Sequence, residues 1–274
     1  MDFEQVLEVV QKTDPGKTRA RNEDAIACIP RLGVIVLADG MGGHNAGEIA
    51  SGMATSFLVN EFDRLLSARP LSVMAGDEAK AETLKLLKDL IADVNLAIFQ
   101  ASEGNPHYKG MGTTLVVAVF YDNRMMAAHI GDSRLYRLRE GAMTQLTKDH
   151  SLLQEWIDNG MITPEQALTA QHKNLVTRAL GVEATVEPEI HEHEVLPGDV
   201  FLLCSDGLYD MVLDEDIAMT LTGLGGNLTL AASQLVDQAN DNGGKDNISV
   251  ILVRAKAPFG APSGWWQKFQ VWLK

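Results

Sequence analysis

The sequence predicts an α+β protein built on antiparallel sheets, with its helices grouped in pairs. Three observations lead there. About eleven short runs rich in Val, Ile, Leu and Phe read as strands. Two long amphipathic stretches sit together after the third run, and two shorter ones sit together ahead of the last. The regular strand-helix-strand alternation of a parallel sheet is missing.

The elements follow in chain order. Residues 6–12, VLEVVQK, form a first strand, and the polar loop DPGKTRARNED leads to a second at Ala25–Ile29. Gly16-Lys17-Thr18 suggests the end of a phosphate loop, but that motif needs glycine at position 11, where Gln11 stands. The β-branched run Val34 to Leu37 then delivers Asp39 into a burst of glycines, Gly40, Gly42 and Gly43. Apolar strand residues fix where such an acid sits, and glycines turn the chain while leaving its carbonyls and amides open. A helix from Gly47 to about Ser67 carries Ile49, Met53, Phe57 and Leu65 on one face, and a second, Asp77 to Ser102, carries Leu84, Leu87, Ile91, Val94 and Ile98. Each has one apolar stripe to bury against a sheet.

From Gly112 the period shortens to strands: TTLVVAVFY, a turn at Asp122-Asn123, RMMAAHIGD, SRLYRLR, a turn at Glu140-Gly141, and AMTQLT. Residues 148–181 read as an irregular insertion, with a short helix at Leu152 to Asp158 and another opened by Thr163-Pro164, where Thr163 and Gln166 fit a capping box. Strands VEPEIHEHEV and DVFLLCSD follow around a Pro197-Gly198 turn, then helices near 214–222 and 229–240, then a last strand from Ile248 to Arg254.

Composition narrows the function. A hydrophobic share of 46% with 22% charged residues is that of a soluble globular chain. No apolar run reaches the ~18 residues of a membrane span, and the acidic start MDFEQVLEVVQK has no signal-peptide pattern, so a cytoplasmic protein is expected. Cys28 and Cys204 lie in apolar runs and read as free core residues of a reducing compartment. A net charge of −14 without a Lys/Arg cluster excludes nucleic acid as a partner.

Carboxylates gather at the ends of the strands. Glu23-Asp24 precede AIACI, Asp39 closes GVIVLAD, Asp132 closes MMAAHIGD, Asp206 closes DVFLLCSD and Asp246 precedes NISVILV. Taken singly, each marks a turn or a helix cap. Together they are more acid than the nearby bases neutralise, and charge at the mouth of a buried strand needs a partner or a cation. Oxygen ligands without a His or Cys array favour Mg²⁺ or Mn²⁺ over zinc or iron. A calcium-stabilised binding domain fails, because DNGGKDN at Asp241 lacks EF-hand spacing. His191 and His193, flanked by Glu192 and Glu194, read as a solvated strand face.

The ordered set R-x-x-N-E-D (Arg19–Asp24), D-G-M-G-G-H (Asp39–His44), G-T-T (Gly112–Thr114), G-D-S-R (Gly131–Arg134), S-D-G-L (Ser205–Leu208) and K-D-N (Lys245–Asn247) resembles the metal-dependent protein phosphatases of the type 2C family, in the style of its bacterial branch. The resemblance runs from about Asp14 to Arg254 and implies a four-layer α-β-β-α sandwich, two antiparallel sheets flanked by helix pairs, with 148–181 as a flap over the site. It implies a catalytic domain over 1–255 that hydrolyses phosphoserine and phosphothreonine in proteins, opposing a Ser/Thr kinase in signal transduction, by in-line attack of a water bridging two metal ions. Carried over residue by residue, Asp39 bridges both ions with the Gly40 carbonyl on one, and Asp206 and Asp246 hold the other. Glu23 and Asp24 act mainly through bound waters, Asp132 with Asp206 makes a third, weaker position, and Arg19 grips the phosphate. Met41 stands where eukaryotic members have a histidine, which leaves the proton donor to the departing oxygen open between a coordinated water and His44. A regulatory pseudophosphatase or scaffold of the same fold is the alternative, disfavoured because the ligands are all present.

Residues 256–274 are a Pro/Gly-rich linker followed by a Trp-rich amphipathic tail, WWQKFQVWLK, in which Trp265, Trp266, Phe269, Trp272 and Leu273 recur at near-helical spacing beside Lys268 and Lys274. Two readings stand: a terminal helix folded back on a monomeric domain, or docking to a partner or to the inner membrane face.

Overall fold

The computed structural model describes residues 2–42, 46–163, 166 and 175–261. His44, Asn174 and the Trp-rich tail lie outside the described residues, so the expectations placed on them are not addressed by it. Among the described residues, eleven strands form two antiparallel sheets. One is ordered β1 (Leu7–Asp14), β11 (Ile248–Ala255), β10 (Val200–Cys204), β7 (Arg134–Arg139), β8 (Ala142–Gln145). The other is ordered β2 (Asp24–Ile29), β3 (Val34–Met41), β5 (Leu115–Tyr121), β6 (Arg124–Ile130), β9 (Glu189–Glu194), with the two-residue β4 (Gly112–Thr113) paired to the end of β3. Helices α1 (Ala46–Ala68) and α2 (Gly76–Gly104) cover the second sheet, while α5 (Asp214–Leu224) and α6 (Leu228–Asp241) cover the first. The expected four layers are present.

Central strands are apolar on both faces because both faces are buried. Val34, Val36 and Ala38 of β3 join the layer under α1 and α2, whereas Ile35 and Leu37 point between the sheets. In β11, Ile251 and Val253 point between the sheets, and Val250 and Leu252 point toward α5 and α6. Phe120 packs edge-on against Phe201 and Phe259 at centroid distances of 5.6 and 6.2 Å, tying the two sheets together. The hairpin turns at Asp122-Asn123 and Glu140-Gly141 have positive φ at both central residues, the backbone that matches strand twist.

Several expectations shift. The buried stripe of α1 is Ala46, Ala50, Ala54, Leu58, Phe62 and Leu66, with Ile49, Met53, Phe57 and Leu65 only partly buried beside it. Small residues lead that face because the start of the helix lies against the backbone at the end of β3. β9 starts at Glu189, directly after Pro188, which cannot donate to a ladder. Its Glu192 is the more buried acid, accepting from Tyr121, Lys80 and Arg124, while His193 is half-buried rather than solvated. The strand expected to run through Asp206 stops at Cys204, and α4 (Asp206–Tyr209) is a one-turn helix. α3 (Leu152–Asp158) and the reciprocal Thr163–Gln166 capping bonds, 2.8 and 3.3 Å, stand as expected. Cys28 and Cys204 are free, and no helix among the described residues is long and apolar enough to cross a membrane.

Phe120→Ala should cost about 3–5 kcal/mol, as for other aromatic truncations in packed cores. A urea titration giving a loss under about 1 kcal/mol would show that the inter-sheet layer is not closely packed there.

Candidate metal centre

Strand register brings the acids to one end of the sandwich. β2 and β3 pair so that Asp24 lies opposite Asp39. In the facing sheet, β10 and β11 are neighbours, so Asp206, at the start of α4, and Asp246, just before β11, emerge side by side. Asp132 sits on the link between β6 and β7, where the chain crosses from one sheet to the other. Arg19, Glu23, Asp39, Gly40, Asp132, Asp206 and Asp246 all line a single cavity of about 390 Å³, with Met41, Gly42, Thr114, Leu175 and Val176 completing its wall. Asp24 is the exception. It lies behind the wall, where Ser205 Oγ donates to its Oδ2 at 2.7 Å.

Hydrogen bonds to the backbone hold these residues in place. The Asp39 N–H donates to Thr114 Oγ1 at 3.0 Å, and its carbonyl accepts from the Thr114 N–H and the Thr113 hydroxyl, both at 2.8 Å. Asn247 staples the loop that carries Arg19 and Glu23. Its Oδ1 accepts from the Glu23 N–H at 2.7 Å, and its Nδ2 donates to the carbonyls of Pro15 and Arg21 at 3.0 and 2.8 Å. Gly40 and Gly47 are required by close approach: a Cβ on Gly40 would meet the Gly47 carbonyl at 2.2 Å, and one on Gly47 would meet Glu23 Oε2 at 2.9 Å. Arg19 Nη2 donates to Asp246 Oδ2 at 2.7 Å from a half-exposed position. Thr113, Thr114, Ser205 and Asn247 were marked in the sequence only by their place within the short motifs. Nothing local to them signals partners tens of residues away.

The electrostatics are those of a site lacking its counter-charge. Burial first, then Asp24, Asp206, Asp132 and Asp246, push the Asp39 carboxyl well above its usual range. Burial, then Asp132 and Asp246, do the same to Asp206. Burial raises Asp24 to about 6 against the hydrogen bonds of Ser249 and Ser205, and burial with Asp149 raises Asp132 to about 6. Glu23 is raised by burial against the pull of Arg19, the only base among the described lining residues. Buried Oδ1 atoms of Asp24 and Asp206 have no hydrogen-bond partner among the described residues. Unpartnered carboxylate oxygens and a backbone carbonyl, with no histidine or cysteine among the described lining residues, fit hard divalent cations.

A family model described as protein phosphatase 2C matches residues 17–238. The chain is 40% identical to the serine/threonine protein phosphatase PstP of Mycobacterium tuberculosis over 248 residues, 90% of this chain but only 45% of that protein, so it spans about half the length of PstP. It is 37% identical to the serine/threonine phosphatase stp of Listeria monocytogenes, covering 88% of this chain and 93% of that one. The crystal structure of M. tuberculosis PstP/Ppp superposes with a TM-score of 0.82 at 38% identity, covering 92% of this chain and 99% of that one. The PstP catalytic domain in complex with two manganese ions superposes with 0.78 at 38% identity, covering 91% and 98%.

The raised carboxyls set a pH dependence for the metal-free protein. Between their ordinary 3.8 and about 6, Asp24 and Asp132 hold more protons folded than unfolded. Their contribution to stability is therefore fully present below pH 3.8 and is lost as pH rises through about 6, by something on the order of 3 kcal/mol each. Chelator-treated protein should lose thermal midpoint from pH 5 to pH 7.5, and Asp39→Asn should raise the midpoint at pH 7.5. A wild-type midpoint that climbs over this interval would contradict the crowding.

Proposed function

This chain belongs to the protein phosphatase 2C family, and from that premise we propose that it is a Mg²⁺- or Mn²⁺-dependent phosphatase that hydrolyses phosphoserine and phosphothreonine in proteins. The observation that carries the reading is the meeting of Asp39, Asp206, Asp246 and Arg19, from four separate segments, on the wall of one cavity. The names of its relatives, serine/threonine phosphatases, and the two manganese ions bound by the PstP catalytic domain support it.

When bound, two divalent cations supply Lewis-acid charge at the phosphoryl oxygens and lower the pKa of a coordinated water. The residues do the rest. Asp39, backed by Thr113 and Thr114, would be the central ion ligand, with the Gly40 carbonyl beside it. Asp206 and Asp246 would also hold an ion, Glu23 and, from behind the wall, Asp24 would act through bound water, and Asp132 with Asp206 would offer a further position. Arg19 presents a planar pair of N–H donors suited to a phosphate dianion and exchanges its bond to Asp246 for the substrate. Leu175 and Val176, on the return of the 148–181 flap, give the mouth an apolar edge where substrate protein is selected.

An aryl phosphate should be turned over with Mn²⁺ and not after chelation, and Asp39→Asn or Asp206→Asn should each lower kcat by about 10²–10³ or more, the scale seen when a preorganised charge is removed. Metal-independent turnover, or full activity in both variants, would refute the assignment.

The partners are phosphorylated proteins and the Ser/Thr kinase that modifies them, and the chain acts as a cytoplasmic monomer. Residues 265–274 dock it peripherally at the inner membrane face, on the strength of their Trp, Phe and Lys content. Co-sedimentation of the full chain with anionic liposomes, lost on truncation after Gly264, would support that placement. Equal sedimentation of both would remove it.

A further inference from the structure

Outside the aspartate centre, the described residues gather one other cluster of metal-ligating side chains. His129, His150 and Glu189 bring donor atoms within 4.8 Å of one another, and His191 Nε2 lies 2.9 Å from Glu189 Oε1. Spacing alone would suit a metal ion, but the hydrogen bonds argue against one. The Gly131 N–H donates to His150 Nδ1 at 3.1 Å, so that nitrogen holds a lone pair and the proton of the neutral ring sits on Nε2, facing Glu189 Oε2 at 3.2 Å. A metal on Nε2 would force a proton onto Nδ1, against the Gly131 N–H, whereas ligating histidines donate from their other nitrogen. His129 Nε2 faces the Lys148 carbonyl at 2.8 Å, which again requires N–H on that nitrogen.

What the cluster does hold, very tightly, is one ring. His150 is 7% exposed, stacked on His129 at 4.7 Å, with both nitrogens and its main chain committed. Burial and the neighbouring His129 keep it below the usual histidine range, which favours the neutral form that this bonding needs. On one side it grips Gly131 twice, because the His150 N–H also donates to the Gly131 carbonyl at 2.9 Å. Gly131, at φ 98°, has no room for a side chain: a Cβ would meet Thr114 at 2.7 Å. The peptide thus clamped leads directly into Asp132. On the other side, the His150 carbonyl accepts from the Thr177 N–H at 2.8 Å, and the adjoining Leu152 N–H and Ser151 pair with Leu175 and Val176 of the flap's return.

We infer that His150 is a positioning residue that holds two walls of the catalytic cavity in register, the Asp132 turn and the Leu175–Val176 edge of the flap, and that Glu189 sets the tautomer it needs. The inference rests on reading Asp132 as an ion ligand and the cavity as the phosphatase site.

The test uses the full chain with His150→Leu, His150→Asn and Glu189→Leu. Asn places an acceptor where Nδ1 lies, while Leu leaves the Gly131 N–H unpaired. Mn²⁺ binding is counted by electron paramagnetic resonance of the free ion, and KM is compared for a phosphothreonine peptide and an aryl phosphate. His150→Leu should weaken the weakest class of Mn²⁺ sites about tenfold, the scale of one unpaired buried donor. It should also raise the peptide KM more than the aryl phosphate KM. His150→Asn should recover most of the Mn²⁺ binding, and Glu189→Leu should fall between wild type and His150→Leu. A lowered thermal midpoint with unchanged Mn²⁺ binding and proportional KM changes, or Asn no better than Leu, would overturn the inference. Should His150→Leu fail to fold, the Asn and Glu189→Leu variants decide it on the same readouts. Wild-type protein that binds Mn²⁺ but hydrolyses neither substrate would remove the phosphatase reading instead, leaving the Mn²⁺ count to decide the positioning role.

Discussion

Mutual repulsion among carboxylates that the fold cannot separate is the constraint on which the rest of this structure depends. Asp24, Asp39, Asp132, Asp206 and Asp246 act on one another through space, and the one guanidinium on the cavity wall, Arg19, answers only part of that charge. Burying like charges together is strongly unfavourable unless they take up protons or bind cations. The sandwich is what keeps them there. Asp39 lies within β3, Asp132 follows β6, Asp206 follows β10 and Asp246 precedes β11, strands buried on both faces, and moving any of these acids would drag an apolar strand out of register with two packed layers.

The backbone around the acids carries the remaining load. Hydroxyls and amides of Thr113, Thr114, Ser205 and Asn247 satisfy main-chain groups or the back of Asp24, and Oδ1 of Asp206 stays unspent. Such a division of labour separates two demands that would otherwise conflict. Rigid placement comes from neutral hydrogen bonds, and affinity for cations comes from charge that the protein leaves uncompensated. His150 extends the same logic outward, since its bonds go to the peptides of Gly131 and Thr177 and to no ligand atom.

The layered fold was legible because its signals are local. Runs such as Val34–Leu37 and Ile248–Val253 are too apolar for a one-sided sheet, and Asp-Asn and Glu-Gly mark their hairpins without reference to anything distant. The site acids were legible for the same reason, as charge abutting those runs. Three things were not. The buried stripe of α1 was read one residue off, because alanines carry it and a pattern of large apolar residues points to Ile49 and Met53 instead. Helix α4 is one turn, too short for any period to show. Asn247 and His150 act on main-chain groups far away in sequence, and no neighbouring residue announces such a bond. Asp24 was half legible: its position beside the site follows from strand pairing, but its retreat behind the cavity wall depends on Ser205, from the other sheet.

Charge also orders events at the cavity. On the proposed reading the substrate is a phosphate monoester dianion, and an opening lined by Glu23, Asp39, Asp132, Asp206 and Asp246, with Arg19 the one base among the described lining residues, would repel it. Arg19, bonded to Asp246, offsets only part of that repulsion. Under the proposed function, cations held by these carboxylates would supply the charge that lets such an anion enter, and Asp246, as one of the residues that would hold them, would then share its charge between an ion and Arg19. The Arg19–Asp246 ion pair thus places the one base of the described lining beside a carboxylate proposed to hold an ion. Under this reading a divalent ion and a guanidinium would compete for Asp246, and the stronger attraction of the double charge would favour the ion.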